Sequence, residues 1–436
     1  MYEHHGDSHT LAHLRASVGF CAAHTRRLLQ RLEAQWVMPL VYSEVVQAAR
    51  EGLAPHAPGP TARPCPMCES RNRVEAAFVR ALVAALRDAR VAEAYGASDG
   101  LCFPHLLEAL RERNDAATVT LVGTARARLD EATDPQQLLD RLAGRDGDRA
   151  ARHRERLRLQ RLAAADPAGA ASDVLQRLRG RLQADACPVC LASALAETRY
   201  LSWLATEFGT SASSLAGEGF WLCPGHLHDF VEEHADAGAG VALYQQRLVN
   251  ADLARLNARL QALPAPTLAA RVQSVGVLLQ SDGRYALSRW ALVRRAAAGL
   301  VARRGRALAA SLAPLTHPRR CGACHAWATA EDRELALLVA AVQDVPTARA
   351  YADSHGICLR HAHQLSADDR AGPLVAVLRA RLAVLSWELG EVRRKSSWSE
   401  RWNRGGPEAD AWLRAPGYLD GRVFLGGPAP GRPVLS

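Results

Sequence analysis

The stretch Cys65-Pro66-Met67-Cys68-Glu69-Ser70-Arg71-Asn72-Arg73-Val74-Glu75-Ala76-Ala77-Phe78-Val79-Arg80-Ala81-Leu82-Val83 opens with Cys-x-x-Cys and runs straight into an amphipathic pattern. Its apolar residues recur at three- and four-residue steps with charges between, the period of an α-helix. After a spacer of 33 residues, Gly100-Leu101-Cys102-Phe103-Pro104-His105 supplies Cys-x-x-His. The same order appears twice more: Cys187 and Cys190 precede Cys223 and His226 by a spacer of 32 residues, and Cys321 and Cys324 precede Cys358 and His361 by one of 33. The tenth cysteine, Cys21, stands with His24 as a fourth Cys-x-x-His. No cysteine lies outside this pattern.

Thiolate with imidazole suits zinc, which takes four ligands in a tetrahedron. Three Cys3His sites are expected, each within one repeat: Cys65, Cys68, Cys102 and His105; Cys187, Cys190, Cys223 and His226; Cys321, Cys324, Cys358 and His361. A closed set of four leaves no position for substrate, the mark of a structural ion. About three zinc ions per chain follow, with an iron–sulfur cluster the weaker alternative. Cys321-Gly322-Ala323-Cys324-His325 also matches the haem-attachment motif, but the other pairs carry Glu69 and Leu191 at the His325 position, which makes that histidine incidental. Cys21 and His24 lack an upstream pair and are read as a possible partial site, from a shortened start or a decayed first unit. His4, His5, His9 and His13 are potential nitrogen ligands there, with solvated, non-binding histidines the preferred reading.

The fold expected is all-α, in tandem helical units each clamped by a Cys3His site. A straight helix of 33 residues would hold its ends about 50 Å apart. Each spacer must therefore fold back as helix, turn and short helix, with Gly96, Gly100, Pro346 and Gly356 as breaks. Three Cys-x-x-His elements carry Gly and an apolar residue before the cysteine, at Gly19, Gly100 and Gly356, where glycine permits a positive φ; the fourth has Trp221 there, with Gly219 nearby. The segments expected are 1–60, an N-terminal half unit; 61–145, 146–263 and 264–390, three full units; and 391–436, a tail rich in Trp, Gly and Pro, with a short docked segment and a disordered end. Linkers are expected at Pro55–Pro64, Gly144–Gly147 and Pro264–Pro266.

The formal charge of +9 comes almost wholly from arginine, with Lys395 the only lysine. Three sites of net −1 would lower it to about +6. Arginine gathers at 284–320 and 141–161, where phosphate binding is weighed against a solvated helix face and the latter preferred. Trp290 and Tyr285 are expected as core anchors, and His228 and His363 as surface groups or neighbours of the ligand histidines. No run of about 18 or more apolar residues suggests a membrane span. The polar N-terminus lacks a signal-peptide core, so a cytoplasmic location is expected, where such cysteines bind metal more often than they form disulfides. No Walker loop, Gly-x-Ser-x-Gly or His-Glu-x-x-His is present, and nothing nominates a catalytic residue.

The repeated Cys-Pro-x-Cys, at Cys65–Cys68 and Cys187–Cys190, followed by Gly-apolar-Cys-x-x-His, resembles a bacterial family of helical proteins recorded as a domain of unknown function. The resemblance covers about residues 15–365 and extends less closely to Ser397–Ala415; Gly322 departs from it where proline is usual. It implies a metal site and a helical fold, without an activity. The function expected is a zinc-stabilised helical repeat protein that binds a protein partner. The alternatives are a nucleic-acid-binding regulator using the arginine segments and a redox- or metal-responsive thiolate protein.

Overall fold

The computed structural model describes residues 8–29, 34–53, 64–112, 115–132, 134–144, 173–210, 220–262 and 320–421, except positions 367, 398, 401 and 404. The three linkers apart from their end residues Pro64 and Gly144, most of both arginine stretches, Trp290, Tyr285, Gly219, His4, His5 and the last residues of the tail lie outside these. The described residues contain helices and no strand, as the periodicity requires. In chain order the helices are α1 (Ser8–Ala16), α2 (Ala22–Leu29), α3 (Ala34–Gly52), α4 (Pro66–Ala85), α5 (Ala89–Ala97), α6 (Phe103–Arg111), α7 (Asp115–Glu131), α8 (Pro135–Ala143), α9 (Val174–Leu182), α10 (Pro188–Thr210), α11 (Pro224–Glu233), α12 (Ala235–Ala262), α13 (Gly322–Ala341), α14 (Val345–Asp353), α15 (Leu359–Gln364), α16 (Gly372–Lys395) and α17 (Ala411–Leu419).

The first and third spacers fold as helix, turn and short helix, but not at every expected break. Gly96 lies inside α5. The turn before it is made by Asp88, which caps α5 by accepting from the Arg90 N–H. Asp344 caps α14 in the same way through Thr347, with Pro346 in the first turn. Proline there costs the helix no hydrogen bond, because the first amides have no intrahelical partner.

The chain divides into two compact units, each assembled from separated stretches rather than one per segment of the sequence. In the first, α3 lies antiparallel to α16: Arg50 bonds Ser386 (3.2 Å) and Arg379 bonds the Leu53 carbonyl. Val41, Val45 and Ala49 of α3 and Leu378, Leu382, Leu385 and Leu389 of α16 fill its core. Helix α17 closes over both, with Trp412 packed against the core and Arg414 bonded to Glu388 (2.7 Å). In the second unit the long α12 is the spine on which α7, α8 and α11 pack. No described helix is long and apolar enough to cross a membrane.

One loop recurs. Gly100 (φ +70°) and Gly356 (φ +79°) take the left-handed conformation before their Cys-x-x-His, as Gly19 does (φ +94°). Seven residues before the cysteine, Tyr95 and Tyr351 accept from the Leu101 and Ile357 N–H groups, at 3.1 and 3.0 Å. Tyr351 also donates to the Leu374 carbonyl (3.2 Å). Tyr351→Phe is expected to orphan the buried Ile357 amide and cost about 1–3 kcal/mol in urea unfolding.

Candidate metal centre

All seven cysteine dyads sit at helix N-termini. Cys21, Cys65, Cys102, Cys187, Cys223, Cys321 and Cys358 each immediately precede a helix, and the second ligand follows three residues on, in its first turn. The cysteine carbonyl accepts the first helical bond, as from Leu106 to Cys102 (2.8 Å) and Ala362 to Cys358 (3.0 Å). Positions three apart share a helix face, so sulfur and nitrogen meet: Sγ to Nδ1 is 3.3 Å at Cys21–His24, 3.3 Å at Cys102–His105, 3.1 Å at Cys223–His226 and 3.2 Å at Cys358–His361. The positive end of each helix faces the thiolates and favours them.

The dyads assemble into three Cys3His groups whose donor atoms lie within 4.8 Å of one another: Cys21, His24, Cys65 and Cys68; Cys187, Cys190, Cys358 and His361; Cys223, His226, Cys321 and Cys324. Three groups were expected, but the partners are not those expected. None of the three within-repeat quartets forms. Cys21 and His24, read as a partial site, complete a group with Cys65 and Cys68. Cys102 and His105, read as full ligands, join no Cys-x-x-Cys among the described residues. The second and third repeats exchange halves.

The reason is helical rise. Glu331 lies on α13, ten residues after Cys321, and its Oε1 is 3.4 Å from Nε2 of His361. Ten residues of helix rise about 15 Å, and the seven after Cys324 about 10 Å. The Cys-x-x-Cys of a repeat is thus carried away from its own histidine by more than a zinc–sulfur bond of about 2.3 Å can span. On α4, Glu75 is likewise ten residues after Cys65 and lies 4.0 Å from Nε2 of His105.

The donor spacings fit a tetrahedral ion. Zinc bond lengths predict about 3.8 Å between two sulfurs and about 3.6 Å between sulfur and nitrogen. Cys21 and Cys68 are 3.6 Å apart and Cys190 and Cys358 4.0 Å. His24 Nδ1 lies 3.6 Å from Cys65 and 3.4 Å from Cys68, and His361 Nδ1 lies 3.2 Å from Cys187 and 3.8 Å from Cys190. The Cys65 thiol is pushed down to about 4, chiefly by the hydrogen bond from Cys21 and despite burial.

The centre of Cys187, Cys190, Cys358 and His361 is wholly buried. Behind it, Glu331 is gripped by Arg360 (3.0 and 3.1 Å), by Gln364 (2.6 Å) and by the Trp327 indole N–H (2.9 Å); Arg360 Nη2 also lies 2.8 Å from His361 Nε2. Burial opposes ionisation of Glu331, but the bonds from His361 and Gln364 and the Arg360 charge hold it well below the usual carboxylate range. Burial also opposes charge on His361, and the Cys358 thiolate with the bonds to Cys187, Cys358 and Glu331 outweighs it, raising the ring to about 11. Such a cage draws positive charge to Nδ1, which a divalent cation satisfies with the imidazole neutral. A carboxylate behind the histidine fixes its orientation. Glu331→Gln is expected to weaken that centre's ion about 10- to 100-fold, read by chelator competition.

Sequence reasoning missed this carboxylate, although its signal is present: Glu75, Glu197 and Glu331 all stand ten residues after the first cysteine of their repeats. His228 is buried, with Nε2 2.7 Å from the Gly144 carbonyl, and is not a surface group. No family model, curated protein or solved structure matches the chain.

Proposed function

We propose that the chain is a zinc protein whose ions are structural and whose helical surfaces bind a protein partner. The observation that carries the metal reading is that three Cys3His groups each join two helix N-termini, from segments as much as 174 residues apart. Four protein ligands close the coordination sphere and leave the ion no substrate position. Elemental analysis with an ultraviolet–visible spectrum tests it: a colourless protein with three zinc ions per chain is expected. Brown absorbance with iron would replace zinc by an iron–sulfur reading. The partner reading is supported by Val384 and Trp387, exposed one turn apart on α16. Its test is affinity capture in which a protein retained by the wild type is lost with Val384→Asp/Trp387→Asp.

One observation favours a metal-responsive role as a second reading. Cys324 is exposed, whereas the ligands around His361 are all buried. Thiolate oxidation follows exposure. Mild peroxide is expected to release the ion of Cys223, His226, Cys321 and Cys324 while the buried centre keeps its own, followed by metal content and peptide mapping of oxidised cysteine.

A further inference from the structure

Cys102 and His105 have what the three ligating Cys-x-x-His dyads have. Cys102 precedes α6 in the N-cap position, as Cys358 precedes α15. Its sulfur lies 3.3 Å from His105 Nδ1, within the range of the other three dyads. Glu75 stands behind Nε2 at 4.0 Å, in the place Glu331 takes behind His361. That carboxylate is a second sign, because an acidic group on the Nε2 side leaves Nδ1 directed toward a ligand. The dyad differs from the others in two respects. All three Cys-x-x-Cys pairs are engaged elsewhere, and the His105 side chain is 40% exposed whereas that of His361 is fully buried.

We propose that Cys102 and His105 form a fourth metal position, taking one divalent ion of the zinc class with two protein donors and two ligands from solution, water or a small thiol. This rests on the reading that the Cys-x-x-His dyads ligate metal. Coordination replaces the thiol proton of Cys102, which passes to solvent, and uses the lone pair on Nδ1 of His105, whose ring carries its one proton on Nε2. With two protein donors in place of four, the ion is held more weakly than the other three and exchanges with the medium. The site would therefore accept metal from, or give it to, a thiol carrier.

The test is calorimetric titration of the full-length, zinc-loaded protein with Zn2+, with and without glutathione. One additional, weaker equivalent is expected, tightened by glutathione. Cys102→Ser/His105→Ala is expected to abolish it while keeping three ions, and Glu75→Gln to weaken it about 10- to 100-fold. Should the double variant lose helicity, Glu75→Gln and Cys102→Ser alone decide the matter. Equal uptake by the wild type and all variants overturns the fourth position. A wild type that holds no tight zinc, yet takes one equivalent that Cys102→Ser/His105→Ala abolishes, instead overturns the three-ion reading and leaves this one standing.

Discussion

Cys65→Ser and Cys21→Ser are each expected to release the same single zinc ion, and the double variant to lose no more than either alone. The structure places both sulfurs in one centre with His24 and Cys68. Had each repeat closed on itself, Cys65 would instead be coupled to Cys102. The comparison is a double-mutant cycle: groups sharing one site are strongly non-additive, and independent sites add. A structural zinc of this kind supplies on the order of 10 kcal/mol, as much as the whole stability of an ordinary domain. Loss of the ion is therefore expected to unfold the helices it joins, α2 and α4, and not only to loosen them. Metal content and far-ultraviolet circular dichroism of the three variants check this. Additive losses of two ions would contradict the pairing.

Gly421→Ala is expected to empty the most buried centre. A Cβ at Gly421 would stand 2.7 Å from the sulfur of Cys190 and 3.0 Å from that of Cys358. Neither sulfur has room to retreat, because the Cys190 and Cys358 side chains lie in the packed core and both belong to one Cys3His group. Overpacking a core costs about 1–3 kcal/mol even where neighbours can shift; here the shift must break coordination. The variant should bind one ion fewer than the wild type, with a lower melting temperature. Gly405→Ala makes the control, since its added Cβ meets only Ala409 at 3.6 Å. Three ions bound to Gly421→Ala would show that the backbone closing this centre is free to yield.

The dyads and their helices were legible because each is local. The proline after Cys65, Cys187 and Cys223, the glycine two residues before Cys21, Cys102 and Cys358, and the apolar period behind them each fix one turn of chain. Pairing was not legible because spacer length measures chain and not direction. The spacers of 32 and 33 residues are alike because the repeats are alike, and that likeness suggested closure within each repeat. The helical rise from Cys321 to Glu331 forbids that closure. A carboxylate ten residues after the first cysteine, Glu75 on α4 and Glu331 on α13, is what marks where the histidine lies, and it is visible in the sequence once helices are drawn at scale. The docked segment around Trp412 was also readable, since an amphipathic turn with a tryptophan needs a core to cover it; α3 and α16 supply it.

The exchange of halves between the second and third repeats sets an order of events during synthesis. Cys21 and Cys68 leave the ribosome 47 residues apart, so the first ion can be captured early. Cys190 must wait for Cys358, 168 residues later, or roughly 10 to 30 s at ordinary rates of translation. Through that interval a bare dithiol sits on a nascent chain, open to any metal or oxidant it meets. The last-made centre is therefore the one whose correct filling depends most on the cell's supply of the right ion at the right moment.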